Sequence, residues 1–281
     1  MITLLMLLAM FWWTWRRGHG VLAGLLLGLA LTLKPVVWPV LVLLALRRDW
    51  RAAGATVLTV LITYASAVSL IGFDAVRAYF VDVAPSVHRG FCAVATNQSL
   101  TSIGWRVFDG AGPVKWSGIS VPPLVRCAWL APVTAFLLPA LAVVVVCRAI
   151  WNRRATEESL GLFVCLSLVV SPVSWEHYRV LALIPAAQVI LWLRRNSWPQ
   201  RETTMALVVG GLLLISARRW LWLALWLDGN TFPTSAGNGV ALPFGLSLLT
   251  LMPLVSVALL GWLVQHLADT HDQPAVPCSR H

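Results

Sequence analysis

The segment SPVSWEHYRV, residues 171–180, places Glu176, His177, Tyr178 and Arg179 side by side between two apolar stretches, GLFVCLSLVV and LALIPAAQVILWL. An acid, an imidazole, a phenol and a guanidinium in such proximity suit the binding of an oxyanion. Arginine offers a forked donor set that matches phosphate oxygens, and histidine changes charge near neutral pH. Lys34, in LKPVVWP (33–39), is a second cation set in apolar sequence, and its compact charge suits the same anion. A third polar block, NQSLTSIGWR (97–106), adds the amides of Asn97 and Gln98. Each residue also has a plainer role. Lys34 can snorkel to an interface, Glu176 and Arg179 can pair across one helical turn, and His177 can be a satisfied interfacial histidine. Tyr178 and Trp175 fit an aromatic belt.

These residues need elements to hold them, and composition says in what solvent. Of 281 residues, 59% are hydrophobic and only 11% are charged, where a soluble domain carries roughly 25% charged. Several apolar runs approach the ~18 residues of a membrane-span candidate. The expected class is all-α, a polytopic helical membrane protein. One membrane domain is expected over residues 1–265, followed by a polar cytoplasmic tail, 266–281. The net charge of +10 sits in short arginine clusters beside apolar runs, a topology signal that argues against nucleic acid as a partner. The five cysteines form no C-x-x-C pair. Cys92 and Cys127 share a predicted outer region, which makes them candidates for a disulfide. No metal-ligand spacing stands out, and no cofactor is expected.

Four arginine clusters punctuate the chain: Arg16-Arg17; Arg47-Arg48 with Arg51; Arg148 with Arg153-Arg154; and Arg194-Arg195 with Arg201. The positive-inside rule puts all four on the cytoplasmic face. Between the second and third there is room for a span near 52–71, an irregular outer segment to about Pro122 with one or two short helices, and a returning span near 123–146. The other two excursions are too short for two crossings, which need ~40 apolar residues plus a turn. Val21–Leu33 reaches only ~20 Å at 1.5 Å per residue, well short of a ~30 Å hydrocarbon core. Two broken hairpins are therefore expected, their turns at Pro35 and Pro172, with charged backbone sheltered by protein or a cavity. A single kinked span from Val21 to Leu46, with Arg47 outside, is the competing reading. Further on, 203–217 leads outward and 241–264 returns.

With that map, AGLLLGLALTLKPVVWPVLVLLALRRDWRAA (23–53), NQSLTSIGWR (97–106) and SPVSWEHYRVLALIP (171–185) resemble, in order, segments of glycosyltransferase family 87. The resemblance covers roughly residues 1–265. It implies a GT-C-type membrane enzyme using a polyprenyl-phosphate sugar, with mannose the expected hexose and an extracytoplasmic glycan or glycolipid as acceptor. Lys34, Asn97, Gln98, Glu176, His177, Tyr178 and Arg179, gathered at the outer face where ionisable groups are costly to keep, are the expected substrate-binding residues. No catalytic acid is assigned, because the family places that acid in an outer loop upstream of this sequence's first residues. On that reading the chain, which opens on an apolar helix without a basic leader, is an N-terminally truncated member, inactive as a fragment, or else a remnant that lacks catalysis. A lipid-linked-sugar flippase or other membrane transporter is the alternative, since transporters also use broken helices and intramembrane charge.

Overall fold

In the computed structural model, residues 1–92, 94, 96–110, 119–151, 159–229 and 240–271 are described. The chain is helical almost throughout. Helix α1 (Ile2–Arg16) ends at the first arginine pair, and α2 (Gly20–Leu33) runs back alongside it. A single 3-10 turn (Pro35–Val37) separates α2 from α3 (Pro39–Leu46), after which α4 (Trp50–Ile71) begins. Asp49 caps α4, accepting from the Ala52 amide at 3.1 Å, and also accepts from Trp15 Nε1 at 2.9 Å. The Arg47 guanidinium lies 4.5 Å above the Trp15 ring. So α3 returns to the end at which α1 finished, and the first hairpin is closed. The kinked single span is excluded, because Arg47 would then lie a full helix length from Trp15.

After Gly72, at φ 85°, the chain forms α5 (Phe73–Ala78), a π turn (Tyr79–Val83), α6 (Ala84–Phe91) and α7 (Leu100–Phe108). These are the short helices expected of the outer segment, more regular than its Gly and Pro content suggests. Strand β1 (Ile119–Ser120) follows, then α8 (Leu130–Trp151) and α9 (Ser159–Val170), buried but for Leu162. A 3-10 segment (Glu176–Ala182) leads into α10 (Leu183–Arg195), completing the second hairpin. Helix α11 (Gln200–Leu214) bends by 78° into α12 (Ala217–Leu227). Strand β2 (Val240–Ala241) pairs parallel to β1; α13 (Phe244–Ser247), a 3-10 turn and α14 (Met252–His271) close the chain.

Among the described residues, α4, α8 and the stretch Gly245–Asp269 are long and apolar enough to cross a membrane. Around them the short helices α1, α2, α3, α9 and α10 share one core built on Leu8, Phe11, Leu27, Leu43, Phe163 and Leu193. The arginine-rich end holds Arg16, Arg47, Arg148 and Arg194; Arg153 and Arg154 lie outside the described residues. The opposite end holds both hairpin turns. Helix α14 continues to His271, past the expected start of the tail, and residues 272–281 lie outside the described set. Lys115 lies outside it as well. Cys92 and Cys127 do not form a disulfide; Cys92 Sγ donates to the Arg89 carbonyl at 3.5 Å.

Candidate functional site

The two turns meet. Pro35 forces the residue before it out of helical backbone, and Lys34 sits extended at φ −152°, ψ 115°. Its side chain, released from the helix, reaches the other hairpin: Nζ donates to Tyr178 Oη at 2.9 Å and lies 4.2 Å from that ring's centroid. His177 stacks edge-on against Tyr178, centroids 4.7 Å apart at 80°. The imidazole is exposed, as a ligand-contacting group must be. Desolvation and the charge of Lys34 hold it below its ordinary value. A half-buried ammonium, a phenol and an imidazole thus meet at one point.

Arg179 faces elsewhere. Its Nη1 donates to the carbonyls of Leu213 and Ile215, each at 2.9 Å, and its Nη2 pairs with Glu176 at 3.2 Å. The guanidinium therefore clips the end of α11, and the plain three-residue pairing with Glu176 is present. An incoming phosphate would have to compete with these partners.

Asn97 is also turned inward. Fully buried, its Nδ2 donates to the carbonyls of Phe91 (3.3 Å), Cys92 (3.1 Å) and Pro172 (3.2 Å), while its Oδ1 accepts the Ser174 amide at 2.9 Å. Ser99 Oγ donates to the Pro172 carbonyl at 3.3 Å, and the Gln98 amide donates to the Ser174 carbonyl at 3.0 Å. The NQS block is thus a latch across the second turn. Proline at 172 leaves its own carbonyl as the one strong backbone group it can offer, and the latch uses it. The Gln98 side chain is buried beside Ser174 and Arg179.

One residue behind the latch carried little sequence signal. Arg106, on α7, is 1% exposed, and its guanidinium donates to Thr250 Oγ1 (2.9 Å) and to the carbonyls of Val94 (2.9 Å) and Asn97 (2.7 Å). It ties α7 to the start of α14 and holds the latch from behind. A lone arginine in a nine-residue amphipathic helix was the sole hint.

An apolar groove of about 570 Å³ adjoins both turns, touching Trp38 of the first and Pro172 of the second. Its long wall is a stripe on α8: Pro132, Ala135, Phe136, Pro139, Ala140, Val143 and Val144. That spacing is one helix face some 18 Å long at 1.5 Å per residue. Among the described residues no three His, Cys, Asp or Glu side chains converge as a metal site.

Comparison with known proteins agrees with this architecture. The family model described as glycosyltransferase family 87 matches residues 1–172. A polyprenol-phosphate-mannose-dependent alpha-(1-2)-phosphatidylinositol mannoside mannosyltransferase of Mycolicibacterium smegmatis is 27% identical over 272 residues, 92% of this chain. The chain spans 56% of that relative's length. No solved structure matches the chain.

Proposed function

The chain belongs to glycosyltransferase family 87, and from that premise we propose that it acts in hexosyl transfer, with mannose the first candidate, from a polyprenyl-phosphate sugar to an extracytoplasmic glycan or glycolipid. The carrying observation is the junction of the two turns, where Lys34, Tyr178 and His177 gather at the end away from the arginine clusters. In such a transfer the acceptor hydroxyl attacks the anomeric carbon, the bond from that carbon to the phosphate oxygen breaks, and the electron pair leaves with the phosphate. A general base takes the hydroxyl proton. The growing negative charge falls on the leaving phosphate, so preorganised cations and donors beside it lower the barrier. Lys34 supplies the fixed charge. His177 supplies a donor that gains its proton as the phosphate arrives.

The groove along α8 supports the same reading. Its apolar stripe suits a prenyl chain, and its contact with Trp38 and Pro172 brings such a chain up to both turns. In this assignment Lys34, His177 and Tyr178 contact the donor, whereas Asn97, Gln98, Glu176 and Arg179 set the shape of the turn that does so.

The test is binding of polyprenyl monophosphate to the detergent-purified chain, alongside mannosyl transfer from polyprenyl-phosphomannose. A charge-assisted hydrogen bond is worth about 1.5–3 kcal/mol and each 1.36 kcal/mol is tenfold. Lys34→Ala should therefore weaken binding roughly ten- to a hundredfold. Lys34→Ala with undiminished affinity would remove the turns from the donor site.

A further inference from the structure

Beyond the transfer reading, and independent of it, the bend after α11 marks a contact with the bilayer surface. Helix α12 has eleven residues and reaches about 16 Å, too short to cross a membrane. It stands at 78° to α11, so a span along α11 leaves α12 close to the membrane plane. One side of α12 is accounted for: Leu221, Ala224 and Leu225 pack against Ile119, Val121 and Leu242 beside the small β pair. The other side is exposed among the described residues. There Trp222 (58%), Trp226 (66%) and Leu227 (53%) are exposed, with Leu223 between them and Arg218 and Arg219 exposed at the helix start.

We propose that α12 is an interfacial helix, its Trp222–Leu227 face seated at the boundary between headgroups and acyl chains of the leaflet into which the hairpin turns open. Tryptophan is the residue that favours that level, being apolar in body and polar at the indole N–H. The two arginines at the start sit where lipid phosphates are dense. The elbow at Ser216 is set by Arg179, which holds the carbonyls of Leu213 and Ile215. The same side chain thus fixes both the second turn and the angle of α12. The depth of the site below the membrane surface follows from that one clip.

Spin labelling tests this directly. A nitroxide is placed at Leu223→Cys in a cysteine-free full-length chain, reconstituted singly in nanodiscs of mixed zwitterionic and anionic phospholipid. Power saturation with oxygen and with a water-soluble nickel chelate reads the depth, and a label at Val208→Cys on α11 gives the hydrocarbon reference. The label at 223 should be reached by both relaxers, at a depth about 5–10 Å within the boundary, and clearly shallower than that at 208. A depth equal to that at 208 would make α12 the continuation of a span. Access for the nickel chelate alone would make it a solvated helix, and dipolar broadening between labels in discs loaded with two chains would make its face a contact between copies. Each of those three results overturns the proposal. Arg179→Ala should shift the depth at 223 while leaving that at 208 in place; an unshifted 223 would remove Arg179 from the elbow's control.

Discussion

In the first hairpin, α2 meets α4 through glycine. A Cβ on Gly24 would collide with the Ala52 carbonyl and come within 2.7 Å of Ala55 Cβ; one on Gly28 would lie 2.5 Å from Thr59 Cβ. The turn itself carries a single polar side chain, Lys34. In the second hairpin α9 also meets α10 through a glycine, a Cβ on Gly161 coming within 3.0 Å of Pro185 Cβ, and the turn is held in addition by a mesh: Asn97, Ser99, Gln98 and Arg179 all bond to backbone or side chains around residues 172–179. Shape secures the first, and shape together with hydrogen bonds secures the second. In a bilayer there is no hydrophobic gain in bringing two helices together, so close backbone approach and interhelical polar bonds are the two available means. The first hairpin rests on close approach and the second adds polar bonds to it. The hairpin held by shape has a turn free to present Lys34; the one held by polar bonds spends most of its turn's polar groups on itself and leaves His177 exposed.

The contrast can be broken most severely at the glycines. Gly24→Leu should prevent α2 from seating on α4, a cost of about 3 kcal/mol or more for overpacking. Loss of the monodisperse species in fluorescence-detected size exclusion after mild heating would show it, and a normal profile would mean that α2 and α4 are less closely apposed. A smaller but still large effect is expected at the latch. Asn97→Ala takes the acceptor from the buried Ser174 amide and one donor from each of three carbonyls, at about 1–3 kcal/mol for the amide left unsatisfied. The damage should stay local: a cysteine at 174 should become reactive to a small maleimide, while one placed at Ala30 in the first hairpin stays protected. Equal exposure of both would show that the two hairpins do not hold independently.

The subtlest difference is in titration. Of the two turns only the second carries an imidazole, and the free site holds it below 6.5 through burial and Lys34. A bound phosphodiester donor raises it again. Affinity for polyprenyl-phosphomannose should then be highest below the lowered free-site value, decline several-fold as pH rises from that value to the raised one, and level off above it. The decline should be absent in His177→Ala and present in Tyr178→Phe; a decline that survives His177→Ala would assign the proton elsewhere.

Much of this was legible from residue order alone. The arginine clusters and the short lengths between them required α2–α3 and α9–α10 to be broken pairs, and the prolines marked the turns. The pairing of Lys34 with Tyr178 was foreshadowed only as two cationic turns at the same end. What could not be read was the direction of polar side chains. Asn97 and Gln98 share a motif with no local sign that one amide would bond a carbonyl 75 residues away. Arg179 looks like a phosphate ligand by type, yet it is bound by two carbonyls that become available only because α11 ends at Leu214 and turns. That end is not announced by Gly or Pro. Periodicity reports which residues face inward, whereas hydrogen-bond partners are decided by the tertiary fold.

The closed first hairpin also bears on how the chain enters a membrane. Neither α2 nor α3 is long enough to be retained as a lone transmembrane segment, and a lysine between them adds about 2.5–3.5 kcal/mol if it rests at mid-bilayer. The Trp15–Asp49 bond and the Arg47–Trp15 stack join the two ends of the pair at the arginine-rich side. The excursion is therefore expected to leave the insertion machinery as one looped unit, after α1 and with α4 already emerging behind it. Gly20, Gly24 and Gly28 would then serve as the rail along which the newly released loop docks.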